Sequence, residues 1–106
     1  MIARVWTGWT RSDQADEYDR HYRAEVLGVL RQVPGFRGAR LLRRAVGQET
    51  EFVSLTFFED LDAVRGFAGD DYETAVFYPE DDRFLVERDL TAAHYQVDTQ
   101  VGPDVA

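Results

Sequence analysis

Two stretches that read as central strands carry apolar or aromatic residues on both faces, and this narrows what the chain can fold into. Alternation splits residues Ile2 to Thr10 into Arg4, Trp6 and Gly8 on one side and Ala3, Val5, Thr7 and Trp9 on the other. Phe52, Ser54, Thr56 and Phe58 alternate in the same way with Val53, Leu55 and Phe57. Successive strand residues point to opposite faces. An antiparallel sheet with one wet face therefore alternates cleanly between apolar and polar. Here it does not, so both faces need cover.

The remaining elements can cover only one of them. Ser12 or Asp13 is placed to cap a helix whose apolar positions, Ala15, Tyr18, Tyr22, Val26, Val29, Leu30 and Val33, recur in steps of three and four. Pro34-Gly35 stops it. Strands follow at about Phe36 to Val46 and Glu51 to Phe58, joined by a hairpin turn at Gly47-Gln48-Glu49. Asp60 is placed to cap a second helix with Leu61, Val64, Phe67 and Ala68 turned inward, and Gly69 suits the left-handed position that ends it. Further helical turns are expected from Asp70-Asp71 through Tyr72, Ala75 and Val76 to Pro79. A loop, Glu80 to Arg83, then leads to a last strand, Leu90 to Val97. The order is β-α-β-β-α-β, which predicts an α+β, ferredoxin-like domain over residues 1–97 with an antiparallel sheet and both helices on one face. Residues 98–106 read as a frayed tail. With no element left for the other face, a second copy of the chain, sheet against sheet, is the expected lid: a homodimer closing a two-sheet α/β barrel.

Composition removes several functions. Acidic residues outnumber basic ones 20 to 12, for a net charge of -8. Duplex nucleic acid and anionic membranes, which bind largely through neutralised phosphates, are not expected partners. No cysteine is present, which excludes disulfides, thiolate nucleophiles and cysteine-held metal. The chain opens into a strand with no signal-like apolar run, and no stretch reaches the ~20 apolar residues of a membrane span, so a cytoplasmic location is the expectation.

The run Phe58-Glu59-Asp60-Leu61-Asp62-Ala63-Val64-Arg65-Gly66-Phe67 resembles the strand-to-helix segment of antibiotic biosynthesis monooxygenase domains. Tyr78-Pro79-Glu80-Asp81-Asp82-Arg83-Phe84-Leu85 and His94-Tyr95-Gln96-Val97 are similar to a small uncharacterised branch of that family. The resemblance covers roughly Met1 to Val97. It implies a dimeric α/β barrel with a pocket in each subunit between sheet and helices. The superfamily it points to holds cofactor-free oxygenases, quinol oxidases, heme-degrading enzymes and isomerases; in the cofactor-free members a phenolic substrate itself supplies electrons to oxygen. Heme-degrading relatives use a histidine near the end of the second helical region and an asparagine on the first strand. The matching positions here, Ala75-Val76-Phe77-Tyr78 and Ile2 to Thr10, have neither. Phe58 stands where many relatives have tryptophan.

His94, on the last strand opposite Tyr95, is the candidate for acid–base work, because histidine titrates near neutrality. The alternative is a histidine hydrogen-bonded at the barrel seam. His21, beside Tyr22, reads as solvated on the polar flank of the long helix. Trp6, Phe67 and Tyr78 are the candidate substrate-binding residues, since a pocket between sheet and second helix needs them to face each other; packing is the competing explanation for the aromatics as a group. The two histidines lack metal-site spacing, and Glu80-Asp81-Asp82 lacks the pattern of a calcium loop. Arg37, Arg40, Arg43 and Arg44 either meet an anionic ligand or pair with nearby acids. The expected function is cofactor-independent monooxygenation of a small aromatic, phenolic or quinol-like substrate, with no cofactor and no metal. The alternative is a non-catalytic homodimer binding a small hydrophobic ligand or heme.

Overall fold

The computed structural model describes residues 1–102. Strand β1 (Ile2–Arg11) leads through a 3-10 turn at Ser12–Gln14 into a helical segment over 15–30. That segment comprises α1 (Ala15–His21), a π turn at Tyr22–Val26 and α2 (Leu27–Leu30). There follow β2 (Phe36–Val46), β3 (Glu49–Phe58), α3 (Leu61–Ala68), α4 (Asp81–Phe84), β4 (Leu85–Arg88) and β5 (Ala93–Gln96). The sheet runs β2-β3-β1-β4, and β5 also pairs with β1. Every pairing is antiparallel. This is the expected α+β, ferredoxin-like architecture, with the final edge divided between two short strands.

The core lies between the helices and one sheet face. Along β3 the even-numbered residues from Thr50 to Phe58 face the helices, and Phe52 and Phe58 have no exposed surface. One cluster joins Ala15, Tyr18, Phe52, Phe84 and Leu85; the other joins Leu30, Phe58, Ala63 and Val64. Asp60 caps α3 by accepting from the Ala63 backbone N–H at 2.9 Å. Gly69 ends α3 at φ 85° and ψ −178°, more extended than the left-handed helical conformation expected there. Gly35 takes φ 86°, and a Cβ built on it would stand 2.8 Å from Ala63 Cβ, so the missing side chain lets the chain pass close against α3.

Five expectations are corrected. Val29 is 44% exposed, outside the apolar face assigned to it. The π turn widens the helix just before it, which shifts the later residues around the axis. The hairpin turn is Gly47-Gln48 alone, because β3 already starts at Glu49, paired with Val46. Residues 70–78 form no helix. They run as an irregular strap whose backbone bonds go to 89–92: Ala75 N–H donates to Leu90 O at 3.0 Å and Ala92 N–H to Glu73 O at 2.8 Å. The single last strand is therefore broken, because 89–92 turn to hold the strap, and β4 takes up residues that were read as a lead-in. The loop read at Glu80 to Arg83 is instead a turn of helix, α4. Of the expected tail, residues 103–106 lie outside those described; just before the tail, Val97 N–H donates to Met1 O at 2.9 Å.

The face opposite the helices presents Val5, Thr7 and Trp9 of β1 and Val53, Leu55 and Phe57 of β3, all partly exposed. Leu42 and Tyr95 on the flanking strands are 45% and 59% exposed. No helix among the described residues covers this face, and none is long and apolar enough to cross a membrane.

Candidate active site

A cavity of about 50 Å³ lies between the sheet and the helical layer, bounded by Tyr18 of one core cluster and Leu30 of the other. Tyr18, Tyr22, Val26 and Leu30 all line it. Three successive steps of four drift around a helix of about 3.6 residues per turn. The wider π turn offsets that drift and keeps all four on the cavity side.

The structure brings Trp6, Phe67 and Tyr78 together on this cavity's wall. Trp6 comes from β1, where its indole N–H donates to Asp89 O at 2.7 Å. Its ring lies over Gly8, where a Cβ would stand 2.5 Å from Trp6 Cη2. Phe67 comes from α3 and stacks on Phe58, with ring centroids 6.1 Å apart. Tyr78 comes from the strap and its backbone N–H donates to Asp81 Oδ2 at 2.7 Å. Its hydroxyl is buried without a hydrogen-bond partner among the described residues. Burial, then the negative charge of Asp81, pushes its pKa up, so the phenol stays protonated.

His94 is not part of the wall. It pairs across β5 with Arg4, and its Nε2 lies 2.9 Å from Arg4 Nη1. A guanidinium only donates, so this nitrogen is the acceptor and the ring proton sits on Nδ1. Burial, then the charge of Arg4, lowers the His94 pKa and favours the neutral ring.

His21 is corrected outright. It is 7% exposed, not solvated; its Nε2 lies 2.8 Å from Asp81 Oδ1 and its ring stacks on Phe84 at 5.6 Å. The short helix α4 folds over α1 and buries both partners, which the polar flank of α1 alone does not disclose. Asp81 is 4% exposed and lines the cavity, so this acid of the Glu80-Asp81-Asp82 run is an internal group. The arginine run instead behaves as a set of surface pairs: Arg37 with Glu59, Arg43 with Asp16 and Asp19, and Arg44 with Glu51.

Three polar features missed in the sequence thus reach the cavity: the Asp81–His21 pair, Arg4, and the Tyr22 hydroxyl, which lies 2.7 Å from Ser54 Oγ. The arginine inside an otherwise apolar alternating set was the available signal for Arg4.

The family model described as antibiotic biosynthesis monooxygenase matches residues 1–76. The chain belongs to this family. Trp6 and Phe67 fall within the matched family region, and Tyr78, Asp81 and His94 lie beyond it. No curated protein gives a match. Among solved structures, the heme-degrader MhuD of Mycobacterium tuberculosis, with two hemes in its active site, is 20% identical over 96% of this chain and 100% of that one, at TM-score 0.64. The ActVA-Orf6 monooxygenase of Streptomyces coelicolor, in complex with nanaomycin D, is 18% identical over 97% and 92%, at 0.62. A NIPSNAP-like domain protein of Burkholderia xenovorans is 20% identical over 96% and 89%, also at 0.62. At these identities the likeness is one of fold.

A heme held by histidine does not fit this member of the family. No histidine lines the cavity, and the Nε2 atoms of His21 and His94 are each engaged, by Asp81 and Arg4. No group of three or more metal-ligating side chains stands together among the described residues.

Proposed function

We propose that the protein is a cofactor-independent monooxygenase of small aromatic, phenolic or quinol-like substrates. The observation that carries this reading is the cavity itself: aromatic walls from Trp6, Phe67 and Tyr78, with a buried carboxylate–imidazole pair bordering the same space. Such a site supplies what an electron-rich ring needs to react with oxygen, namely an aromatic wall to orient it and a proton acceptor. The substrate's activated C–H loses its proton to Asp81, backed by His21. The resulting carbanion forms a C–O bond with dioxygen. Loss of the second hydrogen and cleavage of the O–O bond then release water. One methylene and one dioxygen give one ketone and one water, so no external reductant is consumed. His94 acts through Arg4 as a positioning residue.

Oxygen uptake with a panel of hydroxynaphthalenes and anthrones tests this. Uptake that falls at least about tenfold in Asp81→Asn supports it; no uptake with any member refutes it. Uptake unchanged in His94→Ala removes His94 from the mechanism.

The apolar part of the lining favours a second reading, a non-catalytic binder of a small hydrophobic ligand: Val26, Leu30, Phe67 and Val76 border a cavity of about 50 Å³, below the roughly 300–1,000 Å³ of common ligand pockets. A ligand that raises the melting temperature without oxygen uptake separates the two.

The open sheet face completes the proposal. It is apolar across β1 and β3, and we assign it to a second copy of the chain packed sheet to sheet.

A further inference from the structure

Arg4 is the anomaly of the molecule's electrostatics. It is 4% exposed and lines the cavity. Among the described residues no carboxylate comes within ion-pair distance of it, whereas Arg11, Arg43, Arg44 and Arg88 each hold one at the surface. Its partners are all neutral: Nη1 donates to Tyr72 O and to His94 Nε2, and Nη2 donates to Thr74 O at 3.3 Å. The guanidinium carbon also sits 5.6 Å from the centre of the Phe67 ring. A guanidinium has five N–H donors. These contacts use three, leaving Nε–H and one Nη2 hydrogen without an acceptor among the described residues. Burying a cation costs several kcal/mol unless an opposite charge accompanies it, and burial alone already lowers the Arg4 pKa. The fold uses three of its donors, on the strap carbonyls and on His94, and all three acceptors are neutral. The neighbouring positions on the same β1 face, Ile2 and Trp6, are apolar.

We propose that Arg4 is an anion-recognition residue of the cavity, taking the carboxylate or ionised phenol oxygen of an aromatic acid on its remaining N–H donors. This rests on the cavity being the ligand site and names the class of ligand it prefers. A carboxylate can meet a guanidinium edge with two parallel charge-assisted bonds, while Phe67 and Trp6 supply apolar surface for the ring. Asp81 does not compete for Arg4: its contacts are His21 and the Tyr78 backbone, and it shares no hydrogen-bond partner with Arg4. His94 receives a second purpose, holding one N–H so that the guanidinium keeps its orientation. The Tyr72 and Thr74 carbonyls belong to the strap, and an anion on the remaining donors leaves both of their bonds to Arg4 in place.

The test measures binding, not turnover. Salicylate, salicylamide and methyl salicylate are titrated calorimetrically, together with p-nitrophenol and p-cresol at a pH where only the nitrophenol is ionised. The expected result is a preference of about tenfold or more for salicylate over its two neutral analogues, matching the strength of charge-assisted bonds. The same ordering of nitrophenol over cresol assigns phenolate as well as carboxylate. In Arg4→Gln the preference falls to within about twofold, and Arg4→Lys retains part of it. A merely structural arginine would weaken acid and amide binding equally, so an unchanged ratio in Arg4→Gln overturns the proposal. If that variant does not fold, the wild-type comparison decides alone: equal binding of acid and amide, or binding of none, overturns it. Oxygen uptake keeps the two readings apart. Acid preference without uptake sinks the oxygenase and leaves Arg4 standing; uptake from neutral anthrones without acid preference does the reverse.

Discussion

Asp81 and His21 stand 60 residues apart in the chain and meet at 2.8 Å, both almost wholly buried. The same carboxylate accepts the Tyr78 backbone N–H through its other oxygen at 2.7 Å. One side chain thus pins α4 to α1 and fixes the end of the strap beside the cavity.

Removing that carboxylate leaves an imidazole and a backbone N–H without their acceptor. Asp81→Ala is expected to cost about 3 kcal/mol, and Asp81→Asn, which keeps one acceptor oxygen, less than that. Urea unfolding measures both. A loss under about 0.5 kcal/mol in Asp81→Ala would mean that water already satisfies these groups.

Gly35 tests the packing of the first connection on α3. Alanine there faces φ 86° together with a 2.8 Å approach to Ala63 Cβ. A destabilisation of at least about 2 kcal/mol is expected from strain and crowding combined. An alanine variant with the wild-type denaturation midpoint would show that the connection yields easily.

The open face predicts its own partner. Sedimentation should report a dimer for the wild type at micromolar concentration, and Leu55→Arg should shift it to monomer with an unchanged far-ultraviolet spectrum. Arginine on that face remains compatible with the fold because Leu55 points away from the helices. A wild-type monomer would refute the sheet-to-sheet assembly.

His94 gives a pH dependence with a definite sign. Burial and then Arg4 depress its folded pKa below the ordinary imidazole value of about 6.5. The unfolded chain therefore takes up a proton first as pH falls. The contribution is fully present above about pH 6.5 and is lost on acidification toward the folded pKa. His94→Gln should lose less stability than wild type between pH 7.5 and pH 5.5 (about one unit either side of that value). Equal losses in the two proteins would dissociate His94 from the effect.

The elements with local signals were legible. Alternation marks β1, β2 and β3, Asp60 announces α3, and Pro34-Gly35 closes the first helical segment. Trp6 and Phe67 follow from the periods of β1 and α3, whereas Tyr78 reaches the same cavity from the strap, which forms no helix. The strap over 70–78 was not legible. Its helical spacing is real, but its backbone groups are taken by 89–92, a pairing no local period encodes. The π turn escaped notice because it changes the helical period itself, and Val29 was misplaced as a result.

By itself the sequence determined the family, through runs that resemble it, and also the antiparallel sheet with helices on one side and the greasy second face, because burial of a periodic apolar pattern admits few layer arrangements. Only the tertiary structure decided which charges are internal. Arg4, His21 and Asp81 look like surface residues when read along the chain, and they become buried because segments distant in sequence fold over them. Burial belongs to what packs against a residue, and for these three that partner lies 60 or more positions away.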